Sequence, residues 1–161
     1  MEHPFEQTVR DHGDVVLRVC RAVVGPADAD DAWSETFLAA LKAWPTLPDD
    51  TNVRAWLVTV AHRKAVDVTR TRARRAVPVD ELPDRPGRPD EQPHTALPDD
   101  ALWSALARLP PKQRACVAYH HVAGLPHADV AAVVGGTPAA ARRAAADGIA
   151  ALRATYPTEG G

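Results

Sequence analysis

The chain is 161 residues long, 45% apolar, 5% aromatic and 25% charged, with a formal charge of −2. That length holds one domain or two very small ones, and the ordinary apolar fraction excludes disorder throughout. No apolar run reaches the roughly 18–20 residues of a membrane span, the acidic start Met1-Glu2-His3-Pro4-Phe5-Glu6 is no signal peptide, and the two cysteines, Cys20 and Cys116, make no disulfide framework; a cytoplasmic protein without membrane insertion is expected.

Phe5, Val9, Val16, Leu17, Cys20, Val23 and Val24 recur at helical spacing and predict a first helix, stopped by Gly25-Pro26. A second is expected to start at Asp28 or Asp30, where a short carboxylate caps free backbone N–H groups. Trp33, Phe37, Leu41 and Trp44 form its apolar stripe, and Pro45 ends it. After the loop Leu47–Thr51, Asn52 caps a third helix whose inner face is Val53, Trp56, Leu57, Val60, Ala61, Ala65 and Val68 and whose end is almost all basic.

Residues 77–98 contain Pro78, Pro83, Pro86, Pro89, Pro93 and Pro98, an acidic excess and almost no periodic apolar positions, which predicts an extended linker. Beyond it, Asp99 or Asp100 is expected to cap a short helix carrying Leu102, Trp103, Leu106 and Leu109, and Pro110-Pro111 opens the next. That helix runs to Val122-Ala123, with His121 one turn from Val117 on its apolar face, and Gly124 ends it. A short helix from His127 to Val134, a Gly135-Gly136 turn and a last helix capped by Thr137 with Pro138 in its first turn make a helix-turn-helix pattern. The fold expected is all-α: a helical domain over 1–76, the linker 77–98, and a helix-turn-helix domain over 99–161. With aromatics scarce and Ala and Val abundant, small side chains should pack these helices.

The near-neutral total conceals segregated charge. Residues 1–51 hold 4 basic and 10 acidic groups; 52–76 hold 7 and 1; 77–101 hold 2 and 7; 102–161 hold 6 and 3. Two basic surfaces suit a polyanion, and the acidic ones suit something else. Arg63, Arg70 and Arg74 share one side of the third helix, and Lys64, Arg72 and Arg75 widen that stripe, a footprint for nucleic-acid phosphates. Arg142 and Arg143 follow the first turn of the last helix, where a recognition helix meets base edges, and Thr137 with the free N–H groups of that turn suits a phosphate. The acidic start of the second helix favours the helix dipole and could equally meet a basic protein surface. His120, His121 and His127 lie near Cys116, but no H-E-x-x-H or C-x-x-C spacing accompanies them, and no metal or other cofactor is expected. No phosphate loop, nucleophile elbow or carboxylate pair points to an enzyme.

Three stretches resemble bacterial RNA polymerase sigma factors of the small extracytoplasmic-function (ECF) group. Asp30-Asp31-Ala32-Trp33-Ser34-Glu35-Thr36-Phe37-Leu38 looks like the helix that docks on the polymerase. Val53-Arg54-Ala55-Trp56-Leu57 through Ala61-His62-Arg63-Lys64-Ala65-Val66-Asp67 looks like the reader of the promoter −10 element. Leu109-Pro110-Pro111-Lys112-Gln113-Arg114 with Gly124-Leu125-Pro126-His127-Ala128-Asp129-Val130-Ala131 and the capped last helix looks like the −35 reader. Together they cover most of residues 5–156, in the family's order.

The resemblance implies a non-enzymatic specificity subunit. It implies core RNA polymerase as partner, through the β′ clamp helices and the β flap, together with promoter DNA and an anti-sigma factor. Asp30, Asp31, Glu35 and Phe37 would bind polymerase. Asn52, next to a loop that holds a flipped base in this family, would serve the −10 element with Arg63, Lys64, Arg70, Arg74 and Arg75. Thr137, Ala139, Arg142 and Arg143 would serve the −35 element. Gly136 stands where the family has an apolar turn residue, and Asp147-Gly148 where it has a basic residue followed by alanine, which would weaken or redirect the −35 contact. The competing readings are a free-standing helix-turn-helix regulator and an interaction module that has lost DNA readout.

Overall fold

A computed structural model describes residues 4–76 and 98–155. Every regular element among them is helical, as the periodicity predicted. The expected linker lies, apart from Pro98, outside the described residues.

α1 (Phe5–Val24) and α2 (Pro26–Ala43) share one pivot, Gly25, whose φ of 91° is open to glycine and strained for other residues. α2 therefore starts earlier than expected. Pro26, read from the sequence as a breaker, takes the first helical position, where its missing N–H is no loss and its fixed φ suits the helix. A 3₁₀ turn, Trp44–Thr46, closes α2. α3 (Val53–Ala76) opens with the expected cap, the Ala55 N–H donating to Asn52 Oδ1 at 3.1 Å.

These helices bury Val16, Cys20, Ala29, Ala32, Phe37, Ala40, Leu57 and Ala61, the small-residue packing expected. The few aromatics are nonetheless concentrated here. Phe5 meets Phe37 and Trp44 edge-on at 6.3 and 5.2 Å, Phe37 meets Trp33 at 4.5 Å, and Trp44 meets Trp56 at 6.4 Å. Each such pair adds about 0.5–1.5 kcal/mol beyond its buried area. Leu41 does not join the stripe predicted for it: it is 51% exposed, and Leu38 is 50% exposed.

α4 (Pro98–Ala107), α5 (Pro111–Val117), α6 (His127–Val134) and α7 (Pro138–Thr155) make the second set. α4 begins at Pro98, so Asp99 and Asp100 lie in its first turn rather than before it. α5 continues into a π turn, Ala118–Val122, closed by the Ala123 N–H on the Ala118 carbonyl. The wider turn breaks the helical phase. His121, expected on the apolar face, is exposed as a result, while Tyr119 is sealed. Gly135 and Gly136, at φ of 94° and 101°, form the turn between α6 and α7. An apolar residue at position 136 would be strained at that backbone angle.

The two helical sets pack on each other. Val19, Ala22 and Val58 enter the same apolar cluster as Cys116, Tyr119, Val130 and Ala145. Three polar clasps cross this junction. Arg54 donates to the Ala123 carbonyl at 3.2 Å, Arg114 donates to the Val23 carbonyl at 3.1 Å, and His62 Nδ1 lies 2.7 Å from the Tyr119 hydroxyl.

Candidate functional site

The start of α7 is built from its cap outward. Thr137 Oγ1 accepts the Ala140 N–H at 3.0 Å, fixing the helix entry. Pro138, Ala139, Arg142 and Arg143 are exposed beyond it. The two arginines diverge by one helical step. Arg143 lines a cleft with Lys112, Gln113, Ala139 and Asp147, whereas Arg142 lines a groove with the histidines of the π turn and α6. Lys112, to which sequence reasoning gave no site role, adds a cation from α5. Its ammonium reaches the turn, 3.5 Å from where a Cβ on Gly136 would lie. Its only signal in the sequence is its place in the Leu109–Arg114 motif.

The second departure, Gly148, has a packing cause. A Cβ there would lie 2.6 Å from Val117 Cγ2, so glycine lets α7 close on α5. Arg114, in the same region, is structural: it donates to the Leu106, Ala107 and Leu109 carbonyls at 3.1, 3.2 and 2.8 Å, satisfying the end of α4.

α3 divides its cations between faces. Arg63, Arg70 and Arg74 are exposed, and Arg70 borders a groove with Pro111 and Arg114. Lys64 and Arg72 instead turn toward α2, lining a cleft with Asp28, Asp31, Glu35 and Asp67. Arg72 is ion-paired with Asp28 and also donates to the Val24 carbonyl at 3.3 Å. The single broad stripe expected from spacing is thus two half-stripes, one partly neutralised within the molecule. Arg75 lies in the last turn of α3, and its side chain is outside those described.

On α2, Asp30, Asp31 and Glu35 are exposed, but Phe37 is 6% exposed and belongs to the aromatic network. It shapes the helix from within. The apolar surface of α2 comes from Leu38 and Leu41. Asn52 is exposed beside α3, its Oδ1 engaged in the cap.

The groups flanking these faces are held neutral. Burial, then Arg63, lowers the His62 pKa; burial, then Arg54, lowers that of His12. Burial raises the Cys20 thiol to about 12, and Cys116 moves the same way for the same main reason, so both thiols are inert as nucleophiles. No described helix is long and apolar enough to cross a membrane.

Comparison with known proteins follows the same division. Residues 8–75 match the family model of sigma-70 region 2, and residues 99–152 match that of sigma-70 region 4. Over 156 residues the chain is 32% identical to the ECF RNA polymerase sigma factor ShbA of Streptomyces griseus, covering 87% of this chain and 81% of that one. It is 34% identical over 137 residues to the ECF sigma factor BldN of Streptomyces coelicolor, covering 81% of this chain but 52% of BldN, so it spans about half of that relative's length. The fold matches the sigma factor RpoE of Bartonella quintana, solved with the anti-sigma factor NepR, at a TM-score of 0.80 and 17% identity over 96% of this chain and 98% of that one. CnrH, solved with the cytosolic domain of CnrY, follows at 0.66 and 24% identity over 93% and 85%. Region 2 beside region 4 sets aside the free-standing regulator, which would have no use for the first. The chain belongs to the ECF RNA polymerase sigma factors, subunits that direct transcription initiation.

Proposed function

We propose that this chain joins core RNA polymerase through the exposed face of α2 and reads two promoter elements with separate cationic surfaces. Asp30, Asp31 and Glu35 meet basic groups on the β′ clamp helices, with Leu38 and Leu41 supplying apolar contact. Asn52 keeps its Nδ2 donors for a base flipped from the −10 strand; unstacking that base costs a few kcal/mol, which the polymerase complex must offset. Arg63, Arg70 and Arg74 hold neighbouring phosphates, with Arg75 in the same basic end, while Lys64, turned toward α2, contributes only at longer range. Thr137, Ala139, Arg142 and Arg143 face the −35 major groove, and the C-terminal set meets the β flap.

Residues 1–76 and 99–161 act as two functional units joined by 77–98. The protein works in the cytoplasm and performs no chemistry of its own. Its two fold neighbours were solved with anti-sigma partners, which supports an anti-sigma factor here as well, masking the same faces.

The observation that carries this reading is the capped, exposed start of α7 with Arg142 and Arg143 on a chain that also holds the region 2 bundle. Run-off transcription with purified core polymerase, on templates chosen by mapping transcript 5′ ends after overexpression, tests it. Transcripts should start at the mapped sites only when the chain is present. A chain that neither binds core nor changes promoter use ends the reading.

A further inference from the structure

Three imidazoles, none of them given a role above, converge beside α7 at the edge of the face that carries Arg142. His120 and His121 belong to the π turn, and His127 is the first residue of α6. The His120 and His127 rings stack with centroids 3.8 Å apart and 16° between planes, and His121 meets His120 edge-on at 4.8 Å. All three line one open groove along α7, together with Arg142 and Arg153. Stacked rings present faces rather than nitrogens to each other, which is wrong for a shared metal, and no group of three or more metal-binding side chains is found among the described residues.

The chemistry of the groove is that of an anion site. His120 Nδ1 lies 2.7 Å from the Leu125 carbonyl, which can only accept, so Nδ1 carries the hydrogen and Nε2 is the nitrogen that can gain another. His127 Nδ1 is shielded from water with no hydrogen-bond partner. The permanently charged groups that line the groove are of one sign. α7 contributes Arg142 and Arg153; α3, packed on α6, contributes Arg54 at the neighbouring Ala123 carbonyl, with the titratable His12 of α1 behind it. Asp129 of α6 does not line the groove, and neither does any other carboxylate among the described residues. Partial burial, then His120, lowers the His121 pKa, and desolvation, then His120 and Arg142, lowers that of His127. The groove opens toward solvent, and at its inner edge the enclosed His127 Nδ1 is left without a partner.

Its position supplies the ligand. In a helix-turn-helix the first helix crosses the sugar-phosphate backbone while the second enters the major groove. α6 and α7 are that pair, and the groove lies where the start of α6 meets the flank of α7. We propose that the His120–His121–His127 groove, with Arg142 and Arg153, holds one backbone phosphodiester of the −35 DNA, and that a proton is taken up by the imidazole cluster as the phosphate enters. This rests on the sigma-factor reading and adds to it a proton-coupled phosphate site. The phosphate supplies the negative charge that the free groove lacks, so the charged imidazole is favoured in the complex and disfavoured without it.

Promoter affinity should therefore fall as pH rises through the imidazole range, by up to about tenfold per pH unit if one proton is bound. The experiment uses holoenzyme formed from the full chain and core polymerase, with promoter duplex binding followed between pH 5.8 and 7.8 at fixed ionic strength. His120→Gln/His121→Gln/His127→Gln removes every imidazole of the groove, keeps an amide donor near the Leu125 carbonyl, and should flatten the profile while binding persists. Arg143→Ala should weaken binding at every pH with the slope unchanged. A fragment carrying only the −10 element should show no imidazole-dependent slope. Equal slopes in wild type and the triple variant, or a flat wild-type profile, overturn the phosphate site and leave the sigma-factor reading standing. Holoenzyme that binds no promoter at any pH overturns both.

Discussion

Gly148 shows how one absent methyl sets a helix contact. Alanine would favour the α7 helix by about 1 kcal/mol, but its Cβ would sit 2.6 Å from a methyl of Val117, a stiff and buried side chain. Overpacking of that kind costs about 1–3 kcal/mol. Gly148→Ala should therefore lower the urea midpoint, and Val117→Ala/Gly148→Ala should recover part of the loss; a midpoint raised by the single change refutes the packing argument. At the DNA face, Arg142→Ala and Arg143→Ala should each weaken −35-dependent transcription by about 1–3 kcal/mol where they touch bases, measured against a template lacking that element. Single residues were legible unevenly. The Thr137 and Asn52 caps follow from residue type and position alone. Gly148 looked like a defect because its reason lies on α5, some thirty positions away, and the outward turn of His121 depends on a π turn that helical spacing cannot announce.

Among the elements, α2 separates stability from docking. Phe37→Ala should cost about 3–5 kcal/mol because it empties the centre of the aromatic network. Leu38→Ala and Leu41→Ala, at half-exposed positions, should shift stability by no more than about 0.5 kcal/mol yet weaken binding to core polymerase in a pull-down or anisotropy assay. Equal losses of stability and binding would place those leucines in the fold instead. The helical stripe correctly identified which residues share a side of α2, but it could not tell a narrow buried stripe from a wide one, and so it carried Leu41 inward. The Arg-rich end of α3 presents the same difficulty: spacing gathered the cations together, and only the placement of α2 turned Lys64 and Arg72 aside.

For the whole molecule, the junction between the two helical sets was the least legible feature, since each of its clasps joins residues more than fifty positions apart. Composition revealed the helical class and the order of the parts, not their embrace. The junction and its neighbours carry several imidazoles whose pKa is lowered on folding: His12, His62, His121 and His127. Below about pH 6.5 the unfolded chain binds more protons than the folded one, so stability is full above that value and declines as pH falls beneath it. Urea midpoints at pH 7.5 and 5.5 should show the decline, and a midpoint unchanged or raised at the lower pH contradicts it.

Tyr119 is wholly enclosed at this seam, its hydroxyl against His62, and burial forces its ionisation far above the usual phenol range. The chain has only one other tyrosine. Anything that parts the halves must wet this ring, so a carbon-13 tyrosine label gives the protein an internal gauge of its own opening, observable without touching either promoter-facing surface.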